Sequence, residues 1–436
     1  MSVQKAPLLL VVTGFLLLPG GRIFAGDSTN VDEELRLLRE ENVLLKQQVQ
    51  KQATILDTLS QKVEGLESLD HAKTIEQGEN PPPAPTGFNF GKVNLGAEGG
   101  VAFFNTGPDG FAPNSNFQVD EARLFLDAPL WQTVYFHGEL DLATRENPSL
   151  NAQLGELYLD FEDASQLWGK DGQLNFRAGR MNIPFGEEYL NRNAMENALI
   201  SHSLSDLWGY DPGVEAYGTV GKVCYVVAVQ NGGGNGIQDF DGDKSVAGRI
   251  GYDLNSHWHF SVSAMRTGNI DAQNDMTSAL WFSGGFFRSI GSPATTRFNV
   301  NLVEGDLSYR WKSGQVSAFG GYARYTDNDP TADNTRNIFY YAIEAQQKLP
   351  LKFYAAARFS QILVNNGYSI VGFGNFNEYF MGTLTTEIWR ASLGLGYRFS
   401  DNLALKMEYS FENGETVGGG SRDNENFFGT EAVFKF

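Results

Sequence analysis

Charged side chains that could act on a solute occur in residues 184–212, between two segments that alternate like β-strands. The segment carries one arginine and five carboxylates: Arg192, Glu187, Glu188, Glu196, Asp206 and Asp211. Fixed charges of this kind select ions where they line a narrow aqueous passage. The excess of carboxylates favours cations or neutral solutes over anions.

The same segment is too long and too polar for a hairpin turn, and such a connection in a strand-rich chain is usually functional or disordered. We expect it to fold into the mouth or lumen of a membrane β-barrel and to constrict the pore. The alternative is a surface loop with a short helix at 190–200. Its aromatic side chains could form a sugar track or lie in an interfacial belt. These are Tyr189, Trp208 and Tyr210.

A second set of candidate residues is basic and lies in the strand-like segments. Because side chains alternate along a strand, their parity predicts that they point inward. They are Arg177, Arg249, Lys352, Arg358, Arg390, Arg398 and Lys406. Carboxylates that share the inward parity are Glu156, Asp160, Glu344, Glu408 and Glu431. The basic residues either guide anions through the pore or pair with these carboxylates to keep the lumen ordered.

Other chemistry has less support in the sequence. Asp239, Asp241 and Asp243 alternate in a glycine-containing turn that could wrap Ca²⁺, but the bidentate glutamate of an EF-hand loop is missing, and a solvated turn is the alternative. The five histidines do not cluster at metal-ligand spacing, and Cys224 is the only cysteine. Since no catalytic or nucleotide-binding motif occurs in a suitable context, we expect no enzyme activity and no cofactor.

The elements that must position these residues are β-strands. Segments with period-two alternation follow the proline-rich residues 76–87. The clearest are 351–361, 389–399 and 402–411. In the last of them, Lys406 and Glu408 alternate with Leu405 and Met407. Such alternation indicates either an antiparallel sheet with one wet face or a barrel with lipid outside and water inside.

Connection lengths separate those two architectures. Short turns are predicted near 128–130, 163–172, 220–222, 253–257, 312–315, 348–351 and 399–402. Longer polar stretches lie near 105–116, 143–151, 184–212, 231–244, 268–296, 327–336, 363–385 and 412–425. Outer-membrane barrels have an even strand number, with short turns at one end and long loops at the other. The sequence therefore predicts an all-β transmembrane antiparallel barrel of about 16 strands in 88–436, with the apolar stretch 278–287 in a loop.

The N-terminal part of the chain predicts three further segments. Residues 1–25 have the basic, apolar and small-residue regions of a secretory signal peptide. Residues 26–75 contain an apolar heptad repeat, which predicts a periplasmic α-helical coiled coil and hence an oligomer; a lone amphipathic helix is the alternative. Residues 76–87 form a proline-rich linker.

Composition and the C-terminus bear on partners. Gly 49, Phe 32 and Tyr 17 suit many strands with aromatic girdles, and the formal net charge of −19 argues against a nucleic-acid partner. The chain ends on Phe436, with Phe434, Ala432 and Phe428 at the same parity. This ending resembles the signal that delivers bacterial outer-membrane barrels to the barrel-assembly machinery.

The segment GRMNIPFGEE at 179–188 resembles the phosphate-selective porin O and P family of bacterial outer membranes. Residues that match its Pro-Phe-Gly-x-Glu-like element are Pro184, Phe185, Gly186 and Glu188. Residues 116–130 resemble the family's second strand, with Arg123 retained but Asp120 and Glu121 where the family often has basic residues. The resemblance implies a trimeric, sixteen-stranded porin whose third loop narrows the channel, with a preference for anions or phosphate.

These patterns predict a porin in outer-membrane lipid that allows passive diffusion of small hydrophilic solutes. Phosphate selectivity is what the resemblance implies, whereas the charge count favours a non-selective, cation-leaning or sugar porin. A different hypothesis is a structural anchor whose coiled coil tethers the membrane to cell-wall peptidoglycan. A third is a soluble secreted β-protein.

Overall fold

The computed structural model describes residues 88–90, 92–143, 152–232, 239, 241–272 and 292–436. The predicted signal peptide, coiled coil and linker lie outside the described residues, and so does the apolar stretch 278–287. Within the part of the chain that is described, no helix is long and apolar enough to cross a membrane.

The described residues form one antiparallel sheet that closes on itself. Its strands are β1 (Phe88–Phe90), β2 (Val93–Thr106), β3 (Asn116–Trp131), β4 (Val134–Ala143), β5 (Gln153–Phe161), β6 (Asn175–Asn182), β7 (Tyr210–Val220), β8 (Val223–Gln230), β9 (Ser245–Asp253), β10 (Trp258–Arg266), β11 (Ile270–Asp271), β12 (Arg297–Trp311), β13 (Gly314–Asp327), β14 (Arg336–Lys348), β15 (Phe353–Tyr368), β16 (Thr385–Ser400), β17 (Leu403–Thr416), β18 (Ser421–Arg422) and β19 (Phe427–Lys435). The strands β1, β11 and β18 are short additions, and the other sixteen close when β19 pairs with β2. The predicted sixteen-stranded barrel is confirmed.

Short turns and long loops alternate along the chain as predicted, with one displaced turn. The first short turn was expected near 128–130, but β3 continues to Trp131. Pro129 lacks an amide hydrogen, which suggests a turn. The strand tolerates it because it lies near the strand end, where the pairing with β4 shifts register between Pro129 and Trp131.

Apolar side chains cover the outer surface of the barrel. In β17, Leu405 and Met407 are exposed, whereas the alternating Lys406 and Glu408 are buried. The same alternation runs along β15 and β16. Exposed apolar surface costs about 25 cal/mol per Å² in water, but a hydrocarbon environment removes that penalty. The outer surface is therefore suited to lipid.

Aromatic rings gather where this surface meets the short turns. The ring centroids of Trp258 and Tyr309 lie 4.6 Å apart beside the turn at 254–257, and those of Phe353 and Tyr397 lie 4.8 Å apart near the turn at 349–352. Amphipathic aromatic rings favour the boundary between headgroups and hydrocarbon. At the short-turn end of the barrel, these aromatic rings therefore form one edge of the apolar, membrane-facing surface.

Candidate functional site

The third long connection joins β6 to β7 and packs against inward-facing side chains of the barrel; residues 183–209 are called the constriction loop below. Ile183, Phe185, Leu204 and Leu207 belong to an apolar cluster with strand residues from β9 to β16, and Phe185 is only 2% exposed. Since both ends of the loop are buried in this cluster, apolar packing holds the loop against one side of the inner wall. Its one helical turn is Glu188–Asn191, shorter than the helix considered at 190–200.

The start of the loop depends on Gly186. Its φ of 69° lies in the left-handed region, which glycine adopts without steric cost. The Gly186 amide donates to Ser263 Oγ at 3.0 Å, and its carbonyl accepts from Arg249. An added Cβ would collide with the Glu304 carboxylate. The Pro184-Phe185-Gly186 element therefore forms a tight bend that brings the chain onto the wall.

The single arginine of the loop is neutralised within the loop. Arg192 Nε and Nη2 donate to the two carboxylate oxygens of Asp206, each at 3.1 Å, and His202 Nδ1 lies 3.3 Å from the same carboxylate. Although burial opposes ionisation, Arg192 and His202 lower the pKa of Asp206. The predicted excess of negative charge in the loop thus rests on its remaining carboxylates.

Those carboxylates have different partners. Glu187 Oε1 lies 2.7 Å from His259 Nε2 on β10, and Glu196 Oε1 accepts from Lys435 Nζ at 2.7 Å. Glu188 accepts hydrogen bonds from the Ser203 amide at 2.8 Å and the Ser203 hydroxyl at 2.5 Å. Burial and the nearby Asp206 raise the pKa of Glu188, against these hydrogen bonds and the charge of Arg358.

Four of the basic residues predicted to line the pore hold the backbone of the constriction loop. They lie on the neighbouring strands β15, β16 and β17 and donate to loop carbonyls. The bonds are Arg358 Nη1 to Ser201 O at 2.7 Å, Arg390 Nη1 to His202 O at 3.1 Å, Arg398 Nη2 to Met195 O at 3.0 Å and Lys406 Nζ to Leu199 O at 3.1 Å. We call these four residues the basic ladder.

Carboxylates also flank the basic ladder. Arg358 Nε donates to Glu344 at 2.7 Å, Arg390 Nε donates to Glu412 at 2.7 Å, and Lys406 Nζ lies 3.6 Å from Glu431. Both alternatives considered for these cations placed them in the lumen. The contacts support the second, in which carboxylates neutralise them, and add the loop carbonyls as partners.

Glu408 complements the basic ladder by binding donors of the loop. It accepts from the amides of Ile200 and Ser201 at 2.7 and 2.8 Å, and from the Ser201 hydroxyl at 2.5 Å. Two further anchors lie on β2 and β3, beyond the closing pair of β19 with β2. The sequence analysis named Arg123 only for the family resemblance and did not name Glu98. Glu98 accepts from the Met195 amide at 2.7 Å, and Arg123 Nη1 donates to Asn193 at 2.8 Å. Their inward parity on β2 and β3 is the signal that could have identified them.

The remaining basic candidates lie elsewhere. Arg177 on β6 is paired with Asp160 at 2.8 Å and Glu215 at 3.2 Å, and Arg249 on β9 holds Gly186. The placement of Lys352 on the strand wall is wrong: it lies in the turn Pro350–Lys352, where its ammonium donates to Phe399 O at 2.8 Å. The alternating pattern in the sequence includes Lys352, but β15 begins one residue later, at Phe353.

The acidic candidates Asp211 and the turn aspartates are bound by other parts of the protein, and Asp211 also differs in position from the sequence pattern. Asp211 lies on β7, outside the loop, and accepts from the Gly232 amide at 2.6 Å. In the turn 239–243, Asp239 contacts Lys244, Asp241 accepts from the Asp243 amide at 2.8 Å, and Asp243 accepts from Arg266 at 3.0 Å. Backbone amides and the cations Lys244 and Arg266 therefore compete with a calcium ion for these carboxylates.

The aromatic residues considered for a sugar track are each covered by a guanidinium. Arg192 lies 3.9 Å from the ring centroid of Trp208, Arg180 lies 5.3 Å from that of Tyr210, and Arg249 lies 5.4 Å from that of Tyr189. Each of these cation–π contacts covers one of the two ring faces on which a sugar could stack.

Cavities lie on two sides of the constriction loop. One, of about 330 Å³, separates it from the wall of β3 to β7 and is lined by Arg123, His137, Glu156, Tyr158 and Arg177 among others. The other, of about 130 Å³, separates it from β12 to β15 and is lined by Glu187, Glu188, Glu196 and Glu344 among others. Both linings are polar: the first carries three glutamates and three arginines, whereas the second carries four glutamates and two arginines.

Solved structures share this architecture. The outer membrane channel DcaP of Acinetobacter baumannii is 12% identical, with a TM-score of 0.52 over 81% of this chain and 100% of that one. OmpT of Vibrio cholerae in its trimer form is 11% identical, with a TM-score of 0.54 over 79% and 99%. OprB of Pseudomonas putida is 11% identical, with a TM-score of 0.51 over 79% and 94%.

The chain has the barrel fold of bacterial outer-membrane porins. The sequence matches no protein-family model and no curated protein sequence. At these levels of identity, the similarity to porins is a similarity of fold. It covers 94–100% of the length of the three compared chains.

Proposed function

We propose that this chain is a porin of the bacterial outer membrane, through which small hydrophilic solutes diffuse passively. The observation that carries the proposal is the constriction loop, which basic and acidic side chains fasten inside a closed sixteen-stranded barrel. A barrel that served only as an anchor would not need a loop fixed at so many points beside carboxylate-lined cavities. The apolar outer surface supports insertion into lipid.

The selectivity we propose is a weak preference for cations, without a phosphate site. All three guanidinium nitrogens of Arg358 have protein acceptors: Glu344 at 2.7 Å, Ser201 O at 2.7 Å and Asn197 Oδ1 at 3.1 Å. Phosphate binding by arginine requires free paired donors. A phosphate ion could reach these donors only by displacing the loop, whereas the excess of glutamates in the cavity between the loop and β12 to β15 attracts cations.

For assembly, we propose a homotrimer that the barrel-assembly machinery inserts through the C-terminal strand and Phe436. The trimer rests on the resemblance to the porin O and P family, and one OmpT structure is itself a trimer form. The periplasmic coiled coil, the signal peptide and a contact with peptidoglycan remain proposals from the sequence of residues 1–87.

The test is the single-channel current of detergent-extracted protein in a planar bilayer under a KCl gradient. We expect current steps in threes, a reversal potential on the cation side and no block when phosphate is added. A reversal potential on the anion side with block by phosphate would overturn the proposed selectivity. Silence from a folded trimer would overturn the porin and favour the anchor, which deletion of residues 27–87 would then test.

A further inference from the structure

One histidine in the barrel wall is arranged as a metal ligand. His137 on β4 and Glu139 on the same strand face Glu156 on β5, and one potential ligand atom from each lies within 4.8 Å of the others. His137 Nε2 is 3.9 Å from Glu156 Oε2. Zn–N and Zn–O bonds of about 2.0–2.2 Å place two ligand atoms of a tetrahedral ion about 3.4 Å apart, so a small movement of either side chain brings them within range.

The imidazole is held in the orientation that a metal ligand requires. Its Nδ1 lies 2.7 Å from Asp127 Oδ1, which fixes the proton on Nδ1 and leaves the lone pair on Nε2. The ring stacks on Tyr158 with centroids 5.0 Å apart, and Phe125 covers its other side at 6.4 Å. A carboxylate behind a ligating histidine is the usual supporting contact of protein metal sites.

Glu156 is fixed in a similar way. Its Oε1 accepts from the Asn182 amide at 2.9 Å, so Oε2 is directed at the imidazole. Glu139 is 5% exposed, whereas the side chains of His137 and Glu156 remain about one fifth exposed toward the cavity of about 330 Å³. An ion that entered the lumen could therefore reach the three ligands.

The charges around His137 leave room for a cation. Arg123 Nη1 lies 3.4 Å from Glu139, and the same guanidinium contacts Glu121 and Asp141 at 3.7 and 3.5 Å. Together with Asp127 and Glu156, five carboxylates share one arginine and one imidazole in these contacts. Two other arginines that line the cavity, Arg177 and Arg192, are paired with other carboxylates. Clustered carboxylates in a half-buried wall are costly unless positive charge compensates them.

We propose that His137, Glu139 and Glu156 bind a divalent transition-metal cation, with Zn²⁺ as the expected ion, on the lumen wall opposite the constriction loop. One imidazole with two carboxylates suits Zn²⁺ and its first-row neighbours, whereas Mg²⁺ and Ca²⁺ prefer oxygen ligands alone. The sequence did not indicate this site because Glu156 joins the other two only through the pairing of β4 with β5.

The experiment is calorimetric titration of the full detergent-solubilised chain with ZnCl₂ in excess Mg²⁺, which masks surface carboxylates. We expect one saturable site per chain. His137→Asn keeps a donor for Asp127 but removes the ligating nitrogen, and Glu156→Gln keeps the acceptor for Asn182; each should weaken Zn²⁺ binding by about tenfold or more. The control is His257→Asn, which removes an imidazole that lies in the turn beside β10 and contacts Arg310 O at 2.7 Å.

The site would be overturned by an absence of saturable Zn²⁺ binding, or by equal binding to the wild-type chain and both site variants. Loss of binding in His257→Asn to the same degree would also overturn it, because the effect would then not depend on this cluster. A second readout is the single-channel current, which Zn²⁺ should reduce in the wild type and not in Glu156→Gln. Calorimetry needs no membrane, so it tests the metal site even if the chain proves not to conduct.

Discussion

Arg192 and Asp206 close the constriction loop on itself, because Nε and Nη2 of the arginine donate to the two oxygens of the aspartate, each at 3.1 Å. The guanidinium also lies 3.9 Å from the ring centroid of Trp208. The only arginine of the loop is therefore bound on its edge and on one face. It maintains the shape of the loop through these contacts.

Asp206→Asn should destabilise the folded barrel by about 3 kcal/mol, because it leaves the buried Arg192 without a counter-charge. Chemical unfolding in detergent measures the change. The control is Glu196→Gln, which breaks the half-exposed pair with Lys435 and should cost less than about 1 kcal/mol. Equal losses of unfolding free energy in the two variants would show that the Arg192–Asp206 pair contributes no more than the half-exposed pair.

The same pair predicts a pH dependence. Arg192 and His202 lower the pKa of Asp206 in the folded chain below its ordinary value of 3.8, despite burial. Folding therefore favours the ionised aspartate, so the stabilisation is complete above about pH 4 and is lost as the pH falls further. The difference in unfolding free energy between the wild type and Asp206→Asn should be constant at neutral pH and shrink in acid. A difference that grew in acid would contradict this sign.

Gly186→Ala should lower the unfolding midpoint of the barrel more than Gly221→Ala, a matched glycine substitution in a turn. Alanine at a φ of 69° costs about 1 kcal/mol, and its Cβ would also displace the Glu304 carboxylate. Gly221→Ala is the control, because Gly221 has a φ of 64° but no atom within 4 Å of an added Cβ. The comparison of unfolding midpoints in detergent isolates the collision. Equal midpoints would mean that Glu304 moves freely.

Much of the barrel could be predicted because its signals are local. The alternation of Lys406 and Glu408 with apolar neighbours defines two faces, and turn spacing defines the strand count. Local signals could not predict that the basic ladder binds carbonyl groups of the constriction loop. A strand pattern shows that Arg390 points inward, but not that it meets His202 O, which lies 188 residues earlier in the chain. Contacts between a long loop and distant strands depend on the folded loop, which has no periodicity.

Glu408→Gln should release the part of the constriction loop that contains Ile200 and Ser201. The two loop amides donate to the same carboxylate oxygen, and an uncharged amide oxygen in its place accepts from them more weakly. We expect larger and noisier open-channel currents in single-channel records. Glu387→Gln is the control, because Glu387 accepts from Gln361 at 2.6 Å and has no bond to the loop among the described contacts. Unchanged currents in Glu408→Gln would mean that the other anchors suffice.

The last prediction concerns the charge of the cavity between the loop and β12 to β15. Burial and Asp206 raise the pKa of Glu188 above its ordinary value of 4.5, so this carboxylate takes up a proton earlier than an exposed glutamate as the pH falls. Protonation removes one negative charge from a lining that also contains Glu187 and Glu344. Cation preference, measured as the reversal potential in a KCl gradient, should therefore begin to fall at a pH above 4.5.

Glu188→Gln should remove this early phase and lower cation preference at neutral pH. The amide oxygen can still accept from Ser203, so the loop should keep its fold. Glu196→Gln removes a different carboxylate from the same cavity and should lower cation preference while leaving the early acid phase in place. If the early phase persisted in Glu188→Gln, another group would control the acid response. If both variants left the reversal potential unchanged, solutes would pass on the other side of the loop, beside Arg177 and Glu156.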